Sequence, residues 1–357
     1  YPCGPRGRSR WAACVQVAPS MPESASDPKV QRWNETAKFI PVAFVVANIA
    51  GLYSIYLVLH ILPLLRDDDS HDRGVTECAI FNSVTFLLLV CYVRCILTHP
   101  GTIPDKEEDA SWEYVPQDGR FSGHGADGLQ ETKRSGDRRH CKWCAKYKPD
   151  RCHHCRVCRT CILRMDHHCP WIYNCVGFRN HKFFFLLLFY AAIDCHFIAW
   201  TMLETVKSSV DNSTPFTTMF FLLFGETLSA FLGVLVTIFF GFHVWLMFKS
   251  MTTIEFCEKA MKKTGYSSAY SRGALGNVQA VLGDAFLLWL LPFNTPSGRG
   301  LHFVGEDSPL VGDVESAQGS HRKSQHKAGY GSARKHSSGK ARKSARSGQS
   351  SAHSGGE

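Results

Sequence analysis

Apolar positions along the chain gather into four long runs separated by strongly polar segments. Phe39–Leu65 contains no Asp, Glu, Lys or Arg in 27 residues, more than the roughly 20 apolar residues a helix needs to cross a hydrocarbon core. Among those four residue types, Cys78–Thr98 is interrupted only by Arg94, Phe183–Leu203 by Asp194, and Met219–Phe248 by Glu226. The pattern therefore predicts four transmembrane helices, at 39–65, 78–98, 183–203 and 219–248. Phe286–Phe293 (FLLWLLPF) is apolar but too short to span, and is expected at the membrane interface or against the helix ends.

Charge orients this pattern. The loop 66–77 (RDDDSHDRGVTE) is acidic, and Lys207 is the only basic residue of the loop 204–218. Residues 105–182, the N-terminal arm 1–38 and the chain after residue 248 carry many Lys and Arg. Short basic loops stay cytosolic, so both termini and the segment between the second and third spans are expected in the cytosol, with 66–77 and 204–218 lumenal.

Composition adds detail at the ends. The mean hydropathy of −0.12 averages the spans with polar termini. Residues 1–38 lack a signal-peptide core, so the first span is expected to direct insertion, with Met21 as the expected natural start. The tail, 301–357, is expected to be disordered: Gly319–Glu357 holds nine Lys/Arg against one acid, supplying +8 of the formal +9. Such a tail either meets anionic lipid on the cytosolic leaflet or is solvated with no specific partner, and no nucleic-acid role is expected of it. The sequon at Asn212 falls on the lumenal side and that at Asn34 on the cytosolic side. Asp194, His196 and Glu226 within spans suggest interhelical hydrogen bonds rather than an ion path. Asp194 and His196, two residues apart, stand about 200° apart around a helix and do not share a ligand easily.

The remaining candidate chemistry lies at 141–182, reached through a linker at 99–140. Of 15 cysteines, eight lie between Cys141 and Cys175, and cysteines in a reducing compartment are more often metal ligands or nucleophiles than disulfides. Cys141, Cys144, His154 and Cys161 recur 14 residues later as Cys155, Cys158, His168 and Cys175. The pattern C-x2-C-x9-H-x6-C thus occurs twice, interleaved, and each copy is a complete tetrahedral set for structural zinc. With few bulky aliphatics between Arg138 and Arg164, the metal is expected to supply most of the folding energy.

The same offset isolates what is not a ligand. Cys169 opens a third copy, but position 172 is Ile and the knuckle stays incomplete. His167 corresponds to His153, and Asp166 to Cys152. Asp166, His167 and Cys169 are the parts of an activated thiol, with a carboxylate to fix the imidazole and an imidazole to take the proton. Spacing alone leaves both a nucleophilic and an inert Cys169 open.

These residues resemble a known family. Cys141–Phe184, through DHHCPWIYNCVGFRNHKFF and the ligand pattern before it, is similar to the cysteine-rich domain of the DHHC protein S-acyltransferases (palmitoyltransferases). His99-Pro100-Gly101 resembles their Asp-Pro-Gly motif and Thr252-Thr253-Ile254-Glu255 their Thr-Thr-x-Glu motif. Tyr270, Gly273, Asn277, Val281 and Gly283 resemble their C-terminal PaCCT motif, within a cytosolic region expected at 249–300.

The resemblance implies an α-helical integral membrane protein with four transmembrane helices and a cytosolic cysteine-rich domain binding two zinc ions between the second and third spans. It implies transfer of a long-chain acyl group from acyl-CoA, commonly palmitoyl-CoA, to Cys169 and then to protein cysteines. His167 would be the general base, Asp166 its orienting group, Thr253 the support of Asp166 and Asn277 the tie of the C-terminal segment. Lys148, Arg151 and His153 would meet CoA phosphates, and Trp171 the acyl cavity. Membrane lipids and cytosol-facing, membrane-associated proteins with accessible cysteines are the implied partners, in Golgi, endoplasmic reticulum or plasma membrane. His99 departs from the usual Asp, and Cys152 stands where a small residue is usual. The alternative from another class is a membrane-anchored zinc-binding module of RING type, which needs no spare Asp-His-Cys.

Overall fold

The computed structural model describes residues 37–105, 131–133, 135–212, 214–262, 265–266, 268–293 and 298–303. Residues 1–36 with Met21 and Asn34, most of the linker, Ser213 of the sequon at Asn212 and the basic tail after residue 303 lie outside the described residues.

Each apolar run is a helix, as hydrocarbon demands of a backbone with no water to bond. The first runs Ile40–Arg66, beginning as α1 (Ile40–Tyr56) with a proline in its first turn and continuing through a π turn at Leu57–Ile61. Pro63, two residues after the turn, has no N–H to donate to a preceding carbonyl, so the widened turn absorbs the missing bond. The turn directs His60, fully buried, to Glu77 Oε2 at 2.7 Å and Thr205 Oγ1 at 2.6 Å. The other spans are α2 (His71–Leu97), α3 (His181–Asp211) and α4 (Phe216–Phe248). The four expected spans are thus present as helices. They run past the apolar runs, α2 from His71 and α3 to Asp211, because helical hydrogen bonding continues into water where hydropathy does not.

α3 is the central helix, packed on both α2 and α4. Half of its apolar window is buried inside the chain, against 11% for the first helix, which leaves the outward Phe44, Phe86, Trp200, Phe231 and Ile238 to lipid. Thr85 Oγ1 on α2 donates to the Asp194 carboxylate at 3.2 Å, and His196 Nε2 meets Thr237 Oγ1 on α4 at 2.9 Å. The two residues therefore bond to different neighbours, as their angular separation requires. Glu226 departs from the expected interhelical bonding: its Oε2 has no partner among the described residues, since no donor on a facing helix reaches it.

The cysteine-rich segment is three small antiparallel hairpins: β1 (His140–Cys141) with β2 (Lys146–Tyr147), β3 (His153–Cys155) with β4 (Thr160–Ile162), and β5 (His167–Cys169) with β6 (Asn174–Val176). Their registers repeat at the sequence offset: His140↔Tyr147, His154↔Cys161 and His168↔Cys175 are cross-strand pairs. Each turn closes with a left-handed residue at the same offset, Ala145, Arg159 and Tyr173, at φ of 52°, 54° and 46°. The third knuckle keeps the backbone of the other two although it lacks their second cysteine.

After α4 come α5 (Thr253–Lys262) and α6 (Gly273–Leu282). Lys182, fully buried at the start of α3, donates to the carbonyls of Leu288 and Phe293 at 2.8 and 2.7 Å, and Tyr190 bonds Leu290. The apolar 286–293 segment is therefore strapped along the first turns of α3, with Phe286, Leu287 and Leu290 facing outward.

Candidate functional site

Interleaving the hairpins assembles two ligand sets. Cys141, Cys144, His154 and Cys161 form one, and Cys155, Cys158, His168 and Cys175 the other, with ligand atoms in each within 4.8 Å of one another. In the first set His154 Nδ1 stands 3.4, 3.3 and 3.8 Å from Cys141, Cys144 and Cys161 Sγ. In the second, His168 Nδ1 stands 3.7, 3.5 and 3.5 Å from Cys155, Cys158 and Cys175. A zinc with S at about 2.3 Å and N at about 2.0–2.1 Å has tetrahedral edges of about 3.5 Å, so both sets fit a metal ion of that kind. Strand β3 serves both, giving His154 to one and Cys155 to the other. Trp143 stacks on His154 with ring centroids 5.0 Å apart and steadies its plane.

Cys169 belongs to neither set. It is buried in an apolar cluster with Tyr92, Cys95, Ile172, Val176, Phe183 and Phe184. Its strand, β5, also carries His167, and Asp166 stands just before, its N–H held by the Val176 carbonyl at 2.9 Å. Asp166 is 1% exposed. Its Oδ1 accepts the Thr253 N–H at 2.9 Å, and its Oδ2 accepts the Thr253 hydroxyl at 2.8 Å and His167 Nδ1 at 2.7 Å. Burial alone would raise the Asp166 pKa, but the bond from His167 and the surrounding imidazoles hold it far below the usual carboxylate range. Burial pulls His167 down, yet the bonds to Asp166 and Cys169 push it up to about 9.

The Thr-Thr-Ile-Glu stretch explains itself locally. Thr252 and Glu255 form a reciprocal capping box at the start of α5: Thr252 N–H donates to Glu255 Oε2 at 3.1 Å, and Glu255 N–H to Thr252 Oγ1 at 3.2 Å. That leaves Thr253 pointing its N–H and hydroxyl at Asp166. Glu255 also receives Arg151 in a two-pronged pair, Nε at 2.7 Å and Nη2 at 3.0 Å, while Nη2 reaches the Ser250 carbonyl at 3.0 Å. The guanidinium lies over the Tyr270 and Phe303 rings at 4.8 and 5.3 Å. Arg151 is 3% exposed, so it joins the cysteine-rich hairpins to α5 and presents no free charge outward. Arg151→Ala leaves Glu255 buried without its partner, and is expected to cost about 3–5 kcal/mol. A lower midpoint in thermal unfolding of detergent-solubilised protein checks this, and an unchanged midpoint argues against the tie.

The remaining sequence candidates are placed as follows. Asn277, 2% exposed, donates to the Phe248 carbonyl at 2.9 Å and accepts the Arg272 N–H at 2.8 Å, tying α6 to the end of α4. Burial, with the charges of Arg139 and Lys148, lowers His153 to about 4, so it is neutral. Lys148 is half-buried beside it. Trp171 is 52% exposed; its ring lies 6.0 Å from Phe44 of the first helix and its carbonyl accepts the Tyr92 hydroxyl at 2.9 Å. Between the first helix and α2 lies a cavity of about 410 Å³ lined by Val46, Ile49, Tyr53, Phe86, Leu89 and Tyr92. Tyr92 links this cavity to the Cys169 cluster.

Both departures from the family pattern find a place. His99 Nδ1 accepts the Gly101 N–H at 3.2 Å, the local bond a carboxylate would make there. Gly101, at φ 99°, turns the chain so that its carbonyl accepts the Leu163 N–H at 3.0 Å. Cys152 is fully buried and packs in one cluster with the ligand Cys161. The Arg151–Glu255 pair is absent from the sequence reading, although the Thr-x-x-Glu capping signature before an apolar stretch marked the position. His181 and His243, which also lie beside Asp166, had no local signal.

Comparison with known proteins agrees with this assembly. The family model for the DHHC palmitoyltransferase matches residues 134–260, from before the first knuckle to α5. Palmitoyltransferase ZDHHC2 of Homo sapiens is 34% identical over 306 residues, 80% of this chain and 80% of its own length. Palmitoyltransferase ZDHHC15 of Homo sapiens is 39% identical over 189 residues, 51% of this chain and 56% of its own. The Danio rerio ZDHHC2 is 41% identical over 175 residues, 47% of each. Similarity over 80% of the chain reaches well beyond the hairpins, and the chain belongs to the DHHC palmitoyltransferase family.

Proposed function

We propose that this protein S-palmitoyltransferase works through an acyl-enzyme on Cys169, with palmitoyl-CoA or a similar long-chain acyl-CoA as donor. The observation that carries the reading is the line Thr253–Asp166–His167–Cys169. With Asp166 accepting at Nδ1, the imidazole takes the thiol proton on Nε2, and its raised pKa favours the resulting thiolate–imidazolium pair. The Cys169 thiolate attacks the thioester carbonyl, the carbon–sulfur bond to CoA breaks, and CoA leaves as a thiol after taking a proton. A substrate cysteine then gives its proton to His167 and attacks the Cys169 thioester, which restores the enzyme thiol. Each step exchanges one thioester for another and needs no energy source beyond the donor.

The apolar cavity between the first two helices receives the chain, with Tyr92 and Trp171 at its mouth. Two zinc ions in the Cys/His sets supply a rigid frame for the hairpins and take no part in the exchange. Arg151 being engaged by Glu255 and His153 being neutral, CoA phosphates at this corner rely on Lys148. Both termini and the hairpins face the cytosol, so the substrates are cytosol-facing proteins with cysteines close to the bilayer. A zinc-binding module without transfer has no use for a thiol kept off both metals and set beside a carboxylate-backed imidazole.

The test is incubation of purified protein with a clickable palmitoyl-CoA, followed by peptide mapping. A hydroxylamine-labile acyl group on the peptide holding Cys169, formed in step with released CoA, supports the reading. Label confined to other cysteines sinks it. Thr253→Val removes one of the two Thr253 bonds to Asp166, and is expected to slow acylation about 10- to 100-fold, the worth of a hydrogen bond to a charged group. Single-turnover rates check this, and an unchanged rate would mean that the backbone N–H alone holds Asp166.

A further inference from the structure

Asp166 has two neighbours that the transfer chemistry leaves idle. His181 opens α3 and His243 lies near the end of α4, and one nitrogen of each comes with a carboxylate oxygen of Asp166 to within 4.8 Å of one another. The three residues are 1%, 8% and 3% exposed in the order Asp166, His181, His243. Nδ1 of His181 and Nε2 of His243 have no hydrogen-bond partner among the described residues. Buried polar atoms are rarely left so, and two imidazoles beside one carboxylate, each with an unpartnered nitrogen, point to something between them.

The surroundings prevent a simpler solution. His243 is held edge-on by Phe184, Phe239 and Phe242 at 5.2, 4.7 and 5.7 Å, and Asp166 is pinned by Thr253 and His167. None of the three residues bonds another. Two imidazoles and one carboxylate from three separate elements are a donor set for a borderline divalent ion. Ligands at 2.0–2.2 Å from one ion stand at most about 4.3 Å apart, so a shift of a few tenths of an ångström closes the set.

We propose that Asp166, His181 and His243 form a third metal site, which takes zinc and draws the Asp166 carboxylate away from His167. The site holds no cysteine, and Arg164, buried within electrostatic reach of Asp166, weakens a cation there. It therefore fills only when zinc is in excess, unlike the two cysteine sets, and filling it slows acylation. The inhibition rests on the proposed role of Asp166; the occupancy does not.

The test uses the full chain in equilibrium dialysis against micromolar zinc, with bound metal counted per chain above the free zinc. The unaltered protein is expected to retain one zinc more than His181→Phe or His243→Phe. The metals on the cysteine sets report in the same measurement that the variants are folded. Equal counts overturn the proposal, as they would if an ordered water filled the gap. Should a variant lose its cysteine-bound metal as well, X-ray absorption on the unaltered protein decides. A third of the zinc in a sulfur-free shell supports the site, and zinc wholly in sulfur-rich shells overturns it. In the labelling assay, added zinc is expected to lower acylation several-fold in the unaltered protein and not in His243→Phe. Undiminished labelling with the extra zinc bound overturns the inhibition. No labelling even without added zinc counts against the Cys169 reading and leaves the metal count standing.

Discussion

Cys169→Ser is expected to carry no hydroxylamine-labile acyl group after incubation with palmitoyl-CoA, while retaining as many metal ions as the unaltered protein. The two halves of this result belong together. Cys169 is outside both ligand sets, so the hairpins keep their metals, and exchange of S for O is a small change in a cluster built from Tyr92, Ile172, Val176 and the two phenylalanines. A serine hydroxyl gives up its proton far less readily than a thiol, and an acyl group on it would be an oxygen ester that resists hydroxylamine. The change therefore separates chemistry from fold. His167→Ala keeps the thiol but removes its base, and loss of a general base typically costs about 10²–10⁴-fold, so a trace of label remains there and none in Cys169→Ser. Label in Cys169→Ser at the original level would place the nucleophile elsewhere.

His168→Ala is expected to remove activity by the opposite route, through the fold. His168 completes the second metal set and sits on β5 between His167 and Cys169. The apolar clusters of the hairpins are small and contain the ligands Cys141, Cys161, Cys155 and Cys175 beside Leu163, Phe178, Ile162 and Met165, so losing a metal loosens those clusters too. Structural zinc in such small modules is worth on the order of 10 kcal/mol, comparable to the entire stability of a domain. Because β3 gives neighbouring residues to both sets, the first metal is loosened as well. Metal content is expected to fall from two per chain to one or none, with labelling lost. Helical circular dichroism should persist, since the spans satisfy their own backbone in the bilayer. Full labelling with two metals still bound would show that His168 is dispensable.

The sequence made some of this visible and hid the rest for a physical reason. Uncharged runs such as Phe39–Leu65 declare helices by length alone, and a fixed offset of 14 declares the two ligand sets, because both are local rules. The registers of all three hairpins follow that offset, Cys169↔Asn174 included, although no metal binds at the third. Arg151 and Glu255, by contrast, are 104 positions apart, and no spacing rule spans that distance. The same is true of His181 and His243 against Asp166, which meet only because α3 and α4 begin and end beside β5. The π turn at Leu57–Ile61 leaves no mark on an uncharged run, and nothing local shows that it aims His60 at Glu77.

Ile172 carries a consequence beyond packing. In the first two hairpins the position three residues after the opening cysteine is a second thiol, Cys144 and Cys158, and at the third it is a buried isoleucine on a short turn, 1% exposed. A chain that must capture two metals as it folds, with a free thiol in the same backbone shape close by, runs the risk of misloading. A lone thiolate without a chelating neighbour binds zinc weakly, so an aliphatic side chain at 172 acts as a proofreading element during assembly, directing metal to two knuckles and keeping the third available.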